Sequence, residues 1–169
     1  SVHVLYAKRA NKENWMAIIH VNANELVELN NFICWSNRAE FRNFLFLTRD
    51  PMMYEEIMKR DMPVIYLDRS LVDATNSPQS RGGNSDIESA ASVLQRFDFL
   101  FSVLKAGYHF FYSSVRAVYL DDPLRQVSSF HTGEAYDVMV RGNNTHIASA
   151  PYNGPLAVRS TNYGQYFWK

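Results

Sequence analysis

Cys34 is the only cysteine in the chain. An internal disulfide and a cysteine-based zinc cluster are therefore excluded. Its setting, NFICW, is apolar, so a core position is expected rather than a nucleophile. An excess of one charge is missing too: 17 Lys and Arg face 17 Asp and Glu. Nucleic acids and membrane surfaces usually select a basic excess, so neither is an expected partner. No run approaches the roughly 18–20 apolar residues of a membrane span. The first residues, SVHVLYAKRANKEN, lack the uninterrupted apolar stretch of a signal peptide. There is no internal repeat, and the one low-complexity stretch is NSPQSRGGNSD, residues 76–86, expected to be a flexible loop.

What is present suits one α/β domain over residues 1–169. Apolar residues make up 47% of the chain, enough for a sizeable core. WMAIIHV, 15–21, is nearly unbroken and reads as a buried strand. ANELVELNNFICWSNRA, 23–39, carries Leu26, Leu29, Phe32 and Ile33 at helical spacing, with Asn22 or Asn24 as the expected cap. FRNFLFLT, 41–48, is the next strand, and Pro51 suits the first turn of a short helix. MPVIYLD, 62–68, is a third strand.

Ser85 to Glu88 form a capping box. Ile87, Ala91, Leu94, Phe97, Phe101 and Leu104 then follow as a helical stripe, which Gly107 terminates. YHFFYSSVRAVYL reads as a strand, AYDVMVR and GPLAVRS as two more, and Ser160 or Thr161 as the cap of a last helix. Strands alternating with helices imply a largely parallel sheet. Ligands of such sheets bind at the carboxyl ends of the strands. That rule selects residues 22–24, 48–50, Asp68 and the segment from Ser113 to Arg116.

Other polar groups read as structural. His20 lies inside an apolar strand and is expected to be a hydrogen-bonded core residue. His131, Glu134 and Asp137 fit no standard zinc spacing and read as a solvated loop. Asn143-Asn144-Thr145 is an N-glycosylation pattern, a motif of three residues only.

The stretch VLKAGYHFFYSSVRAVYLDDPL resembles the core of the nucleotide-diphospho-sugar transferase family, glycosyltransferases of the GT-A type. In that family a helix ends in Leu-x-x-Gly-Tyr. A strand then leads to Asp-x-Asp, an apolar pair, an aromatic, Leu, a polar residue and Asp-Pro. Leu104, Gly107, Tyr108, Val118, Tyr119, Leu120, Asp122 and Pro123 match. NGPLAVRST resembles a second family segment through Gly154, Val158, Arg159, Ser160 and Thr161. The order of pieces agrees over about residues 15–169.

The resemblance implies a GT-A-like (Rossmann-like) three-layer fold with a central, mostly parallel mixed sheet. It also implies a nucleotide-sugar donor and a glycan, protein or small-molecule acceptor. The expected donor-binding residues are Asn22, Asp50, Arg96, Ser113, Ser114, Arg116 and Arg159. No catalytic base is assigned. The family's acceptor-side segment follows the Val-Arg-Ser-Thr motif, so the acceptor half is expected to be short or missing. For a eukaryotic chain whose anchor lies outside this sequence the resemblance implies the Golgi lumen, and otherwise the cytoplasm.

The departure is at the centre, where the family's two aspartates fall on Ser114 and Arg116. That pair holds Mn²⁺ or Mg²⁺ in GT-A enzymes, and hard cations want carboxylate oxygens. Here the ligands are missing. Arginine carries a fixed positive charge and cannot serve as one. Four readings stay open. Arg116 grips the diphosphate in place of the cation. The metal moves to Asp121 and Asp122, although adjacent strand residues face opposite ways. The fold survives as a non-catalytic binding or scaffolding module. Or the polar residues belong to an edge strand of an unrelated α/β domain.

Overall fold

The computed structural model describes residues 2–67, 90–119, 121–129, 137–140 and 155–166. The loop at 76–86, the capping box at 85–88, Asp68, Leu120, His131, Glu134, the glycosylation pattern and Gly154 lie outside the described residues.

Helix α1 (Val2–Arg9) precedes β1 (Trp15–Val21), α2 (Leu26–Arg38), β2 (Phe44–Thr48), α3 (Pro51–Met58) and β3 (Val64–Tyr66). Then come α4 (Ala90–Lys105), β4 (His109–Ser114), α5 (Pro123–Ser129), β5 (Val138–Val140), β6 (Leu156–Val158) and α6 (Asn162–Tyr166). Among the described residues six strands form one sheet in the order β3-β2-β1-β4-β6-β5. β3, β2, β1 and β4 are parallel, β6 runs antiparallel to β4, and β5 runs antiparallel to β6. The fold is α/β with a mostly parallel mixed sheet, consistent with the GT-A-like expectation.

β1 and β2 are buried along their whole length because helices cover both faces of the sheet. Alternate residues feed two cores. Trp15, Ala17, Ile19 and Val21 pack with α2, α3 and α5 through Leu29, Phe32, Met53, Ile57, Leu124 and Val127. Met16 and Ile18 pack on the other face with Tyr6 of α1 and Leu100, Val103 and Leu104 of α4. Phe32 meets Phe44 at 5.2 Å and Phe46 at 5.5 Å edge to face. Each such pair adds about 0.5–1.5 kcal/mol beyond area burial.

Gly107 ends α4 with φ of 87°, a left-handed turn that glycine adopts without strain. Its N–H bonds the Leu104 carbonyl at 2.9 Å. Thr161 caps α6, its Oγ1 accepting from the Gly164 N–H at 3.0 Å.

The structure corrects several local expectations. The cap residue of α2 is Glu25, without a side-chain cap bond, instead of Asn22 or Asn24. Asn24 has φ of 64° and supplies the left-handed turn before the helix, which asparagine tolerates. Cys34 is exposed, because the buried face of α2 runs through Leu29, Phe32 and Ser36. On α4 the buried stripe is Leu100, Val103 and Leu104, while Leu94 and Phe97 are exposed. The strand expected through Leu120 stops at Ser114, where a turn begins. Helix α1 carries no clear period and was not expected; Tyr6 anchors it against Tyr108 at 5.8 Å and Phe99 at 6.3 Å.

Candidate functional site

The chain adds β2 and β3 on one side of β1 and then returns to place β4 on the other. The carboxyl ends of β1 and β4 therefore flank a topological switch point, where crevices form in open α/β sheets. Asn22 follows β1 directly, and Ser114 closes β4.

On the β1 side the turn is built around Glu25, which is 1% exposed. Its Oε2 accepts the Asn22 N–H at 2.6 Å, and the Asn22 side-chain amide lies 3.4 Å from Oε1. On the β4 side, the Val115 N–H still bonds the His20 carbonyl at 2.9 Å. Ser114 then forms the turn: its Oγ accepts the Arg116 N–H at 3.2 Å and its carbonyl accepts the Ala117 N–H at 3.0 Å. This turn brings Arg116 back over β1. Its Nε lies 2.7 Å from Glu25 Oε1, joining a guanidinium that is 67% exposed to a carboxylate that is 1% exposed. The pair spans the switch point. Nothing in the residue pattern marked Glu25, which reads as an ordinary acidic residue at a helix start.

Ser113 and Ser114 are neighbours on a strand and face opposite sides of the sheet. Ser113 is 1% exposed and lies on the core side with Tyr119. Tyr119 packs against Trp35 and Phe111. Its hydroxyl is buried without a hydrogen bond of good geometry. Burial pushes its pKa from 10.0 up to about 12, and the nearby Ser113 hydroxyl only partly offsets this. A phenol raised on folding contributes its stability in full below about pH 10 and loses it as pH rises toward 12, about 2–3 kcal/mol in all. Tyr119→Phe is expected to flatten the alkaline limb of a stability profile, measured from denaturant midpoints between about pH 8 and 12. A profile unchanged by the substitution would contradict the assignment.

The opposite face, toward α4, carries an aromatic column. The His20 ring stacks on Tyr112 at 6.2 Å, and the Arg96 guanidinium lies 5.8 Å from the Tyr112 ring centre. Arg96 therefore approaches β4 two residues before Ser114, on the face that Ser114 shares. His20 is 8% exposed.

The remaining expected site residues are placed as follows. Asp50 lies at the carboxyl edge after β2, but its Oδ1 accepts the Met53 N–H at 2.8 Å and caps α3. Asp122 caps α5 in the same way through the Leu124 N–H at 2.8 Å, and Asp121 accepts the Asp122 N–H at 2.7 Å. Among the described residues no group of three or more His, Cys, Asp or Glu is arranged to hold a metal ion.

Arg159 is separated from the others. β6 is antiparallel, with Val158 opposite Phe110, so Arg159 lies at the amino edge beside His109. That is about 17 Å along the sheet from Ser114. There the Val-Arg-Ser-Thr segment forms a latch. The Ser160 N–H donates to His109 Nδ1 at 2.8 Å, and Ser160 Oγ donates to the Leu104 carbonyl at 2.6 Å. The Arg159 N–H donates to the Asp137 carbonyl at 2.9 Å, and Thr161 Oγ1 bonds Asp137 Oδ1.

Would the residues that the resemblance puts at the Asp-x-Asp positions suit a divalent cation? They do not. Ser114 Oγ is taken up by the turn, Arg116 is itself a cation, and Glu25, the carboxylate described beside them, is already paired with Arg116. A hard dication needs several anionic oxygens, and a guanidinium within the set repels it.

A family model described as nucleotide-diphospho-sugar transferase matches residues 39–169. Asn22 and Glu25 precede the matched stretch. No curated protein and no solved structure matches the chain significantly. No helix among the described residues is long and apolar enough to cross a membrane.

Proposed function

Because the chain belongs to the nucleotide-diphospho-sugar transferase family, we propose that it binds a nucleotide-sugar at the β1–β4 switch point and transfers the sugar to a hydroxyl acceptor without a divalent cation. One observation carries this reading: an exposed guanidinium, Arg116, is tethered by a buried carboxylate where the resemblance puts the metal-holding pair. The charge balance is the same in both devices. Two carboxylates and a dication sum to zero, as do Glu25 and Arg116.

In transfer, the acceptor oxygen forms a bond to the anomeric carbon while the bond from that carbon to the phosphate oxygen breaks. The nucleoside diphosphate leaves with the electron pair, and the acceptor hydroxyl gives its proton to the departing phosphate oxygen or to solvent water. Arg116 meets the negative charge that develops on the leaving group, and planar guanidinium N–H groups suit phosphate oxygens in pairs. Asn22, Ser114 and Arg96 are the remaining donor contacts of this reading.

A second reading is a catalytically inactive member acting in binding or scaffolding. It is favoured by the state of the carboxylates described at this edge. Glu25 is paired with Arg116 and Asp50 caps α3, so each carboxylate already has a structural role.

Release of UDP or GDP from nucleotide-sugars by the full chain separates the two. The transferase reading expects release that is equal in EDTA and in Mn²⁺ and that is lost in Arg116→Lys. Release that requires Mn²⁺ would overturn the metal-free device. Nucleotide binding without release under any condition would favour the inactive module.

A further inference from the structure

We infer that Glu25, from outside the stretch matched by the family, is the positioning residue that sets which edge of Arg116 faces the diphosphate. This rests on the donor reading above and deepens it.

A guanidinium carries five N–H donors in one plane, spread over Nε and two terminal nitrogens. Glu25 meets Nε, at 2.7 Å. No other hydrogen bond or ion pair joins the guanidinium to a described residue, so the two terminal nitrogens form its remaining edge. That edge is the one whose paired N–H groups match two phosphate oxygens. Glu25 in turn is held from behind. It is 1% exposed, and its Oε2 takes the Asn22 N–H at 2.6 Å, in a turn fixed by left-handed Asn24. The carboxylate is therefore a rigid anchor and the arginine an otherwise mobile, exposed side chain. A long exposed side chain loses rotamer freedom on binding a ligand, and one held beforehand loses less.

Glu25 also cancels the charge of Arg116, and that makes the inference sharp. If Glu25 were only a counter-ion or a fold contact, removing its charge would expose a net positive site and tighten anion binding. If it positions the guanidinium, removing its charge weakens binding despite the gain in net charge. The two roles predict opposite signs.

The test measures the affinity of the full chain for UDP and for inorganic pyrophosphate in EDTA, by calorimetry. Glu25→Gln is the first variant, since its amide oxygen can still accept the Asn22 N–H and preserve the turn. Affinity is expected to fall about tenfold or more, the scale of one charge-assisted hydrogen bond. Arg116→Lys keeps the charge but has no separate edge to present, and a similar fall is expected. In an Arg116→Gln background the further change Glu25→Gln is expected to have no effect, because its influence runs through the arginine. Tighter binding in Glu25→Gln, unchanged binding, or an equal loss in the Arg116→Gln background would each overturn the inference. A wild-type chain that binds neither probe would instead overturn the donor reading itself, and the positioning role with it.

Discussion

Gly164→Ala is expected to cost about 3 kcal/mol, lowering the melting temperature by about 6–12 °C. A Cβ built on Gly164 would lie 2.1 Å from the Arg159 carbonyl oxygen, which is backbone and cannot swing aside. Relief requires that α6 move away from the Arg159–Thr161 turn. That turn holds the end of α4 through Leu104, the start of β4 through His109 and the start of β5 through Asp137. Shifting it loosens four elements together, beyond the overpacking itself. Ser160→Ala provides the scale, since it removes only the bond to the Leu104 carbonyl and should cost about 1 kcal/mol. Thermal denaturation of the two variants checks the order. A Gly164→Ala chain melting within about 2 °C of wild type would show that the latch carries no global stability.

The second expectation concerns the switch point. Arg116→Ala leaves Glu25, 1% exposed, as a buried carboxylate without its cation. Breaking a fully buried pair this way costs about 3–5 kcal/mol. Arg116 is largely exposed, so solvent screens part of the pair, and about 2–3 kcal/mol is the better figure. The melting temperature should fall by about 5–10 °C. Adding Glu25→Gln should restore much of the loss, because the uncompensated charge goes while the acceptor for the Asn22 N–H stays. Thermal melts of the wild type, both single variants and the double variant measure this. A double variant less stable than Arg116→Ala alone would contradict the account of Glu25.

The fold was legible where physics acts locally. WMAIIHV and FLFLT read as strands because both faces of β1 and β2 are covered, which demands unbroken apolar runs. Gly107 read as a terminator because its left-handed turn excludes most other residues. The carboxyl-edge rule pointed to Asn22, Ser114 and Arg116, which the fold brings to the adjoining ends of β1 and β4.

Glu25 was illegible because its partner Arg116 returns from β4, a contact with no trace in local sequence. Arg159 precedes a helix start, which suggests a phosphate contact, and only the antiparallel direction of β6 reveals that it lies at the opposite edge. Leu94 and Phe97 show the limit of periodicity. A stripe at helical spacing fixes an angle around α4, but which part of that stripe meets the sheet is set by packing.

Calorimetric titration of UDP and of GDP into the full chain, first in EDTA and then in Mn²⁺, decides whether Arg116 stands in for the cation. The account predicts that at least one nucleotide binds in EDTA and that Mn²⁺ leaves its affinity unchanged. Binding that appears only with Mn²⁺ would contradict it.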